Sequence, residues 1–342
     1  MLLYLLMKNF HIKIQGSGLP AHLALLKYHK YNKINWNYAD TEFTLPMSST
    51  LDFIPFMQDS INFSWSDLKL FNGNLKTGVN KVNFNNKSFD SNFKPPFVAL
   101  HFDSLSMSKY LYSKCKYNST KKSDILIDAS KPVDMSNYLT LNHVPTNCAI
   151  GYKYKEEYAS TKTKLEATEH GWIQTIPTAK YVYVYYIFNS DINNPQDIAD
   201  SLPLRNYNYE LINFSSYYLQ NPFLENHLKL GLNTFFIEPF DATSLSGNLR
   251  LLDLFTDVQN KHMKHSDALY YYFDYIKEAM EVLMLHYVSD VPFKSEFWRN
   301  AKDKAEDYLI NTGIKKRDIS NFYSKEGYKK LYKNLNVSNY IQ

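Results

Sequence analysis

The first forty residues show two hydrophobic periodicities in succession. Apolar and polar side chains alternate from Asn9 to Gln15 as in a strand, and apolar residues recur at helical spacing from Ala21 to Tyr28. A second strand is predicted from Lys33 to Tyr38. The order strand, helix, strand predicts a βαβ unit in this part of the chain.

The later pattern predicts further strands and then mainly helices. The elements it favours are a helix over Ser104–Lys114, a strand over Asp124–Asp128, a strand pair within Tyr152–Ile187, a helical pattern from Leu245 through Leu285, and a helix near Glu296–Leu309. A polar, lysine-rich tail follows the last of these helices. The whole pattern predicts a mixed α/β fold with a helical C-terminal region.

Composition allows a globular enzyme and argues against nucleic-acid binding. The 342 residues are enough to bury a sizeable core, and aromatic residues reach 16%. The net charge is +4, but the lysines are scattered along the chain and form no concentrated basic stripe. We therefore expect no nucleic-acid partner.

Cysteine content and the opening segment favour a cytoplasmic protein. Cys115 and Cys148 are the two cysteines, which indicates no disulfide framework, and no zinc-ligand spacing is present, so we expect no metal. The apolar segment Met1 to Met7 is too short to span a membrane and lacks the basic region of a signal peptide. We expect a cytoplasmic location and no membrane partner.

The turn between the first strand and helix has glycines where a dinucleotide site needs them. Its sequence, Gly16-Ser17-Gly18-Leu19-Pro20-Ala21, lets the backbone approach a pyrophosphate at the start of the helix. Asp40 follows about twenty residues after the turn, as a ribose-binding carboxylate would. A tight turn without a ligand explains the same residues equally well.

Three later segments carry candidate chemistry, and each has a plainer explanation. Gly73 to Gly78 contains Lys76, which could be a solvated lysine in a turn. Gly231 to Ser244 contains Asp241, which together with Thr243 and Ser244 could cap the helix that follows. Between them lies Gly171 to Pro177, whose Trp172 could be a core residue.

In this order the four segments resemble the flavin-dependent tryptophan halogenase family. Smaller pieces agree in order and spacing: His101-Phe102-Asp103, Tyr110-Leu111, Asp124 to Ser130, Asp134 to Leu139, His286-Tyr287 and Phe297-Trp298-Arg299. Together they cover most of residues 9 to 300. The resemblance implies a Rossmann-like FAD-binding fold of the flavin monooxygenase and halogenase type. It implies a core over 8–250, with discontinuous cofactor and substrate halves and no clear linker, and a helical region over 251–342 packed on that core.

The resemblance also implies site residues and a reaction. FADH2 from a separate reductase, O2 and a halide ion would yield hypohalous acid, which reaches Lys76 and halogenates an electron-rich aromatic or heteroaromatic substrate. Asp241 would orient the electrophile or accept the proton lost from the ring. The remaining implied contacts are Gly16, Gly18, Ala21, Asp40, Asp128 and Pro239 for the cofactor, Thr243 and Ser244 for halide, and Trp172, Ile176 and Pro177 for the tunnel.

The chain differs from the family pattern at several positions. Gln174 replaces the second tryptophan of the Trp-x-Trp-x-Ile-Pro segment, and Asp241 replaces the usual glutamate. Lys131 stands where a glycine is expected, and the flavin strap, Leu45 to Thr50, contains neither glycine nor glutamate. Two other functions stay open on these grounds: a flavin monooxygenase that does not use halide, and a non-catalytic scaffold with the same fold. The oligomeric state is also open.

Overall fold

The computed structural model describes residues 10–36, 45–115, 123–202, 207–240, 243–314 and 322–340. The chain divides into two compact units, each assembled from three segments. The first unit comprises Met1–Leu75, Ala99–Leu139 and Tyr217–Asp274, and the second comprises Lys76–Val98, Thr140–Ser216 and Tyr275–Gln342.

The strands are β1 His11–Gly16, β2 Lys33–Trp36, β3 Pro46–Ser48, β4 Asn74–Lys76, β5 Gly78–Phe84, β6 Lys87–Asn92, β7 Ala99–Asp103, β8 Ile125–Ala129, β9 Tyr138–Thr140, β10 Cys148–Lys155, β11 Lys162–Thr168, β12 Gly171–Pro177, β13 Tyr181–Phe188, β14 Tyr209–Asn213, β15 Tyr217–Leu219, β16 Phe223–Leu224, β17 His227–Lys229 and β18 Phe235–Phe236. The α-helices are α1 Leu19–Tyr28, α2 Phe53–Ile61, α3 Ser104–Lys114, α4 Pro195–Ser201, α5 Thr243–Gln259, α6 His265–Tyr287, α7 Glu296–Thr312 and α8 Lys325–Leu335. Short 3-10 helices span Trp65–Leu70, Gly231–Asn233 and Ser338–Tyr340.

The first unit contains a five-stranded sheet with the order β16-β17-β8-β1-β2. β1 pairs in parallel with both β2 and β8, so the predicted βαβ unit is confirmed. Ile12 and Ile14 of β1 are buried, and α1 lies against α5 and α3 as well as against the sheet. Because parallel strands are covered on both faces, apolar residues predominate in this central strand and helix.

Two small sheets accompany it, with the orders β3-β7-β4 and β18-β15-β9. Every residue of β7 is buried, and α3 begins directly after it. Asp103 caps α3 because its carboxylate accepts a hydrogen bond of 2.8 Å from the backbone N–H of Ser106. α3 has the bounds that the sequence pattern predicts.

The second unit is built on a seven-stranded sheet with the order β14-β10-β13-β12-β11-β5-β6. Its neighbours are antiparallel except for β11 and β5, which are parallel. The sequence pattern predicts a single strand pair where the structure has the four strands β10 to β13. The prediction is two strands short because it rests on the β-favouring run of β13, although the alternation along β11, Lys162–Thr168, is itself a strand signal.

The helical region also differs in detail from its pattern. The predicted helical stretch from Leu245 through Leu285 is divided into α5 and α6 by a turn in which Lys261 adopts a φ of +60°. The lysine-rich tail contains α8, which begins after the cap residue Ser324 and buries Leu331 and Leu335. The two leucines lie four residues apart and so form one apolar stripe, and the Tyr328 hydroxyl donates to Glu278 at 2.7 Å.

Asparagine occupies many of the tight turns. The described asparagines with positive φ are Asn62, Asn72, Asn83, Asn85, Asn86 and Asn336. Asparagine tolerates the left-handed region better than other non-glycine residues. Within the described residues, no helix is both long and apolar enough to cross a membrane.

Candidate active site

Gly16 ends β1 at a point of very close backbone approach. It lies opposite Ala129 of β8, and a Cβ at this position would stand 2.4 Å from the Ala129 carbonyl carbon. Its φ of +95° is also in the region that side chains rarely adopt. Both observations require glycine at the first position of the turn.

Gly18 begins α1 without supplying a side chain. Its φ of +81° and ψ of −176° are accessible almost only to glycine, and this helix start has no side-chain cap. The first turn contains no acidic residue, and Ala21 within it is fully buried. An uncapped helix start with backbone N–H groups is the feature that binds a phosphate, so these residues fit the pyrophosphate of a flavin dinucleotide.

Asp128 lies at the end of β8, beside the end of β1. Its Oδ1 accepts hydrogen bonds from the Ser130 N–H at 3.0 Å and the Ser130 hydroxyl at 2.5 Å. Lys131, which replaces an expected glycine, is exposed. Asp40, the predicted ribose ligand, lies outside the described residues, as does Asp241.

The Gly231 segment packs against the start of α1. A Cβ on Gly231 would lie 2.7 Å from Cγ of Pro20. The Gly231 N–H donates to Asn248 Oδ1 at 2.7 Å, and Asn248 Nδ2 donates to the Ser244 carbonyl at 2.7 Å. Gly231 therefore brings the first turns of α1 and α5 together within the first unit.

The predicted halide-binding residues and Pro239 lie at the end of the same segment. Thr243 is buried and Ser244 is half-buried at the start of α5, and Pro239 is half-buried in the stretch before it. Thr243 and Ser244 thus stand at a second helix start, where an anion is electrostatically favoured.

Tyr138 fixes the same segment from the other side. Its hydroxyl lies 2.8 Å from the Asn233 carbonyl and 2.7 Å from Asn233 Oδ1. Burial raises the pKa of Tyr138 to about 12, so the phenol stays a neutral donor at physiological pH. Leu230 donates its N–H to the Asp128 carbonyl at 2.9 Å, which ties the segment to β8.

Glu238 is a site candidate that sequence reasoning missed. It lies in the Gly231 to Ser244 segment, three residues before Asp241, and is 1% exposed. A buried carboxylate is uncommon and often functional. Its position in the apolar stretch from Phe235 to Phe240 is the signal that could have drawn attention to it.

Lys76 ends β4 and is 5% exposed, so it is not the solvated turn lysine of the plainer explanation. Its Nζ lies 5.5 Å from the centroid of the Phe93 ring, within cation–π range. The next residue, Thr77, donates its N–H to the Thr161 carbonyl at 2.8 Å and accepts from the Phe93 N–H at 2.9 Å. The backbone next to Lys76 is therefore fixed on both sides.

The predicted tunnel residues lie along β12. Trp172 and Ile176 share its buried face with Gln174. Trp172 is fully buried and its indole N–H donates to the Tyr287 hydroxyl at 3.0 Å, as in a well-packed core tryptophan. Pro177 ends the strand about 16 Å further on, at 3.3 Å per residue.

Strand register places Pro177 at the end of the second unit's sheet where β5 begins, two residues after Lys76. Thr175 is opposite Lys164, and Lys162 is opposite Gly78. Two residues further along the β11–β12 pairing, Pro177 is opposite Lys162 of β11, and Lys162 is opposite Gly78 of β5. Gly78 follows Lys76 by two residues in the chain. Trp172 lies at the other end of the strand. Pro177 is therefore at the end of the sheet where β5 begins, and Trp172 is at the opposite end of β12.

A sequence profile of the tryptophan halogenase family matches residues 129–334, which is more than half of the chain. The chain belongs to the tryptophan halogenase family. This confirms the family resemblance, and with it the expectation that the chain is an enzyme of the flavin-dependent halogenase class. A comparison with curated protein sequences finds no match.

Solved structures of halogenases share the fold. A tryptophan halogenase from Shewanella frigidimarina is 13% identical, with a TM-score of 0.82 over 97% of this chain and 90% of that one. A flavin-dependent halogenase from Xanthomonas campestris is 11% identical, with a TM-score of 0.80 over the same shares. The flavin-dependent halogenase BrvH from Brevundimonas sp. BAL3 is 13% identical, with a TM-score of 0.77 over 96% and 90%. The predicted α/β halogenase fold with a helical C-terminal region is confirmed.

No group of three or more His, Cys, Asp or Glu residues is arranged to hold a metal ion in the described part of the chain. A cavity of about 320 Å³ in the second unit contains none of the predicted site residues; it is lined by Val288, Asp290, Lys302, Asn336, Ser338 and Tyr340.

Proposed function

We propose that this family member is a halogenase that uses FADH2, O2 and a halide ion to halogenate an electron-rich aromatic or heteroaromatic compound. The observation that carries the proposal is the burial of Lys76 at the position that matches the family's lysine. A lysine side chain is normally exposed, and its withdrawal from water needs a reason because burying an ammonium group is costly. Delivery of a reactive electrophile in a dry site supplies such a reason.

The first unit would hold the flavin. Gly16, Gly18 and Ala21 form the turn and helix start that fit its pyrophosphate, and Asp128 and Pro239 lie in segments tied to that turn. Asp40 would contact the ribose. When bound in reduced form, FAD with O2 and halide supplies the oxidised halogen as hypohalous acid.

Lys76 would receive that oxidised halogen. Its amino group can hydrogen-bond to hypohalous acid or form a haloamine with it, and either route presents electrophilic halogen to the aromatic ring. The haloamine route uses the neutral amine, and water is released as the nitrogen–halogen bond forms. Phe93, whose ring faces the amino group, helps to keep water away from it.

The remaining site residues would take supporting roles. Thr243 and Ser244, at the start of α5, would hold halide through backbone N–H groups. Asp241 would accept the proton lost from the ring, with a reach one methylene shorter than the usual glutamate. Trp172, Ile176 and Pro177 would shape the path of the oxidant. A separate flavin reductase would supply FADH2, and the substrate would be a small aromatic molecule.

Lys76→Ala and Lys76→Met test the proposal directly. We expect both variants to lower formation of halogenated product at least about a hundredfold, because the oxidised halogen would no longer be held in position against the ring and loss of such positioning costs on that order. FAD affinity should be unchanged in both. The assay is mass spectrometry of indole and phenol panels with FADH2, O2 and chloride, bromide or iodide.

Lys94→Ala is the matched control, since Lys94 belongs to the same unit but its side chain is 81% exposed. It should retain wild-type turnover. Halogenated product from Lys76→Met at the wild-type rate would remove the lysine from the mechanism. Hydroxylated product without halogen would favour the monooxygenase function, and absence of flavin binding in either redox state would favour the scaffold.

A further inference from the structure

Two carbonyls of the dinucleotide turn each face a buried aromatic N–H group. The indole N–H of Trp36 donates to the Gly16 carbonyl at 3.0 Å. His22 Nδ1 lies 2.7 Å from the Gly18 carbonyl. Because a carbonyl oxygen can only accept, Nδ1 must carry the proton and donate it. The turn is therefore held from within by two side chains that lie outside the glycine motif.

The two side chains also support each other. His22 is 1% exposed and Trp36 is 6% exposed, and their rings meet edge to face with centroids 4.8 Å apart. Tyr112 of α3 packs against both rings. We call His22 and Trp36 the turn brace. Such locked packing restricts the rotamers of both donors, so the positions of the two carbonyls are fixed as well.

The peptide geometry links the brace to the ligand side of the turn. In a trans peptide the C=O and N–H groups point in opposite directions. The Gly18 carbonyl also accepts the backbone N–H of His22 at 3.3 Å, so it points along α1 into the helix. The Leu19 N–H on the same peptide must then point out of the helix start, where a phosphate would bind.

We propose that His22 and Trp36 are positioning residues for the flavin pyrophosphate: His22 holds the Gly18 carbonyl so that the first amide of α1 is presented outward before the cofactor arrives, and Trp36 holds the Gly16 carbonyl at the start of the same turn. This inference rests on the proposed function, since it assumes that the turn binds FAD. Both side chains are buried and act through the two backbone carbonyls. The brace reduces the conformational change in the turn that FAD binding would otherwise require.

Variants that remove one N–H and keep a ring test the brace. Trp36→Phe and His22→Phe should each raise the Kd for FAD about threefold to tenfold, the range expected for the loss of one neutral hydrogen bond. His22→Asn should restore near wild-type affinity, because the asparagine amide can place a donor close to the position of Nδ1. Kd is measured by fluorescence titration, and thermal unfolding is measured without flavin.

Tyr28→Phe is the matched control at the other end of the same helix. The Tyr28 hydroxyl is equally buried and lies 3.2 Å from the Leu252 carbonyl and 2.9 Å from Thr256 Oγ1. This variant should lower the Tm without changing the Kd for FAD. A structural role alone would give all three phenylalanine variants the same behaviour.

The outcomes separate this inference from the proposed function. If the wild-type protein binds FAD and both brace variants bind it equally well, the brace is only structural and the inference is wrong. The same holds if Tyr28→Phe raises the Kd as much as Trp36→Phe does. If the wild-type protein binds no FAD, the proposed function fails and the inference fails with it.

Discussion

Lys76 and Glu238 are both buried, although lysine and glutamate are among the residues most often exposed. Lys76 is selected by the resemblance of its segment to the halogenase family, since a lysine in a glycine-flanked turn is by itself expected to be solvated. Glu238 belongs to no such pattern, and its burial depends on how the Gly231 segment packs between α1 and α5. Residue identity alone carries no information about that packing.

The two cysteines give a prediction at the scale of single residues. Burial raises the pKa of the Cys115 thiol to about 12 and also raises that of Cys148. Because the reactive form is the thiolate, on the order of one Cys115 thiol in ten thousand is reactive at pH 8. Thiol reagents should therefore label native protein very slowly.

Labelling should be fast and complete for both cysteines in denaturant, where the pKa values return to their ordinary range. The measurement is the rate of reaction with a chromogenic disulfide, followed with and without guanidinium. Labelling of Cys115 in native protein within minutes at pH 8 would show that the thiol is not withdrawn from solvent as the structure has it.

At the scale of elements, periodicity located the helices better than the strands. α3 has its predicted bounds, and the βαβ order is correct. The strand pair predicted within Tyr152–Ile187 accounts for two of the four strands found there, although the alternation along β11 is itself a strand signal. α8 is not predicted because its apolar stripe is weak: only Leu331 and Leu335 of this polar helix are buried. Helices of this kind are stabilised by packing against the rest of the protein more than by their own helix propensity.

The turn between β1 and α1 gives a prediction on two neighbouring glycines. Gly16→Ala should cost more than about 3 kcal/mol of unfolding free energy, since its Cβ would overlap the Ala129 backbone. Gly18→Ala should cost about 1–3 kcal/mol, because the nearest atom to its Cβ, Pro20 Cδ, is 4.0 Å away and only backbone strain remains.

Urea unfolding followed by circular dichroism measures both costs. Gly18→Ala serves as the control for general damage to the turn, because it changes the same loop without the backbone overlap. Equal costs for the two substitutions would contradict the close approach of β1 and β8 at Gly16.

At the scale of the whole molecule, each unit is assembled from three separate segments. Hydrophobic periodicity cannot reveal this, since it reports on neighbours in sequence and not on which distant strands pair. The predicted boundary between 250 and 251 falls inside α5, and the division into a core and a C-terminal region stays a prediction.

Because each unit is assembled from three separate segments, we predict that a fragment of residues 1–216 does not fold on its own. It would lack β17, which pairs with β8, and α5, which supplies the Asp253 partner of Lys27. We expect no cooperative thermal transition in calorimetry. The control is the complete chain cut between Ala159 and Ser160, two exposed residues that join β10 and β11. A fragment melting within a few degrees of the whole protein would refute the prediction.

Asparagine at the positive-φ positions has a consequence at the level of the coding sequence. The chain has 10 glycines in 342 residues, yet its turns require many left-handed conformations. Glycine codons begin with two guanines, and asparagine codons begin with two adenines. A coding sequence rich in A and T can therefore encode this fold, since asparagine fills turn positions that glycine would occupy elsewhere.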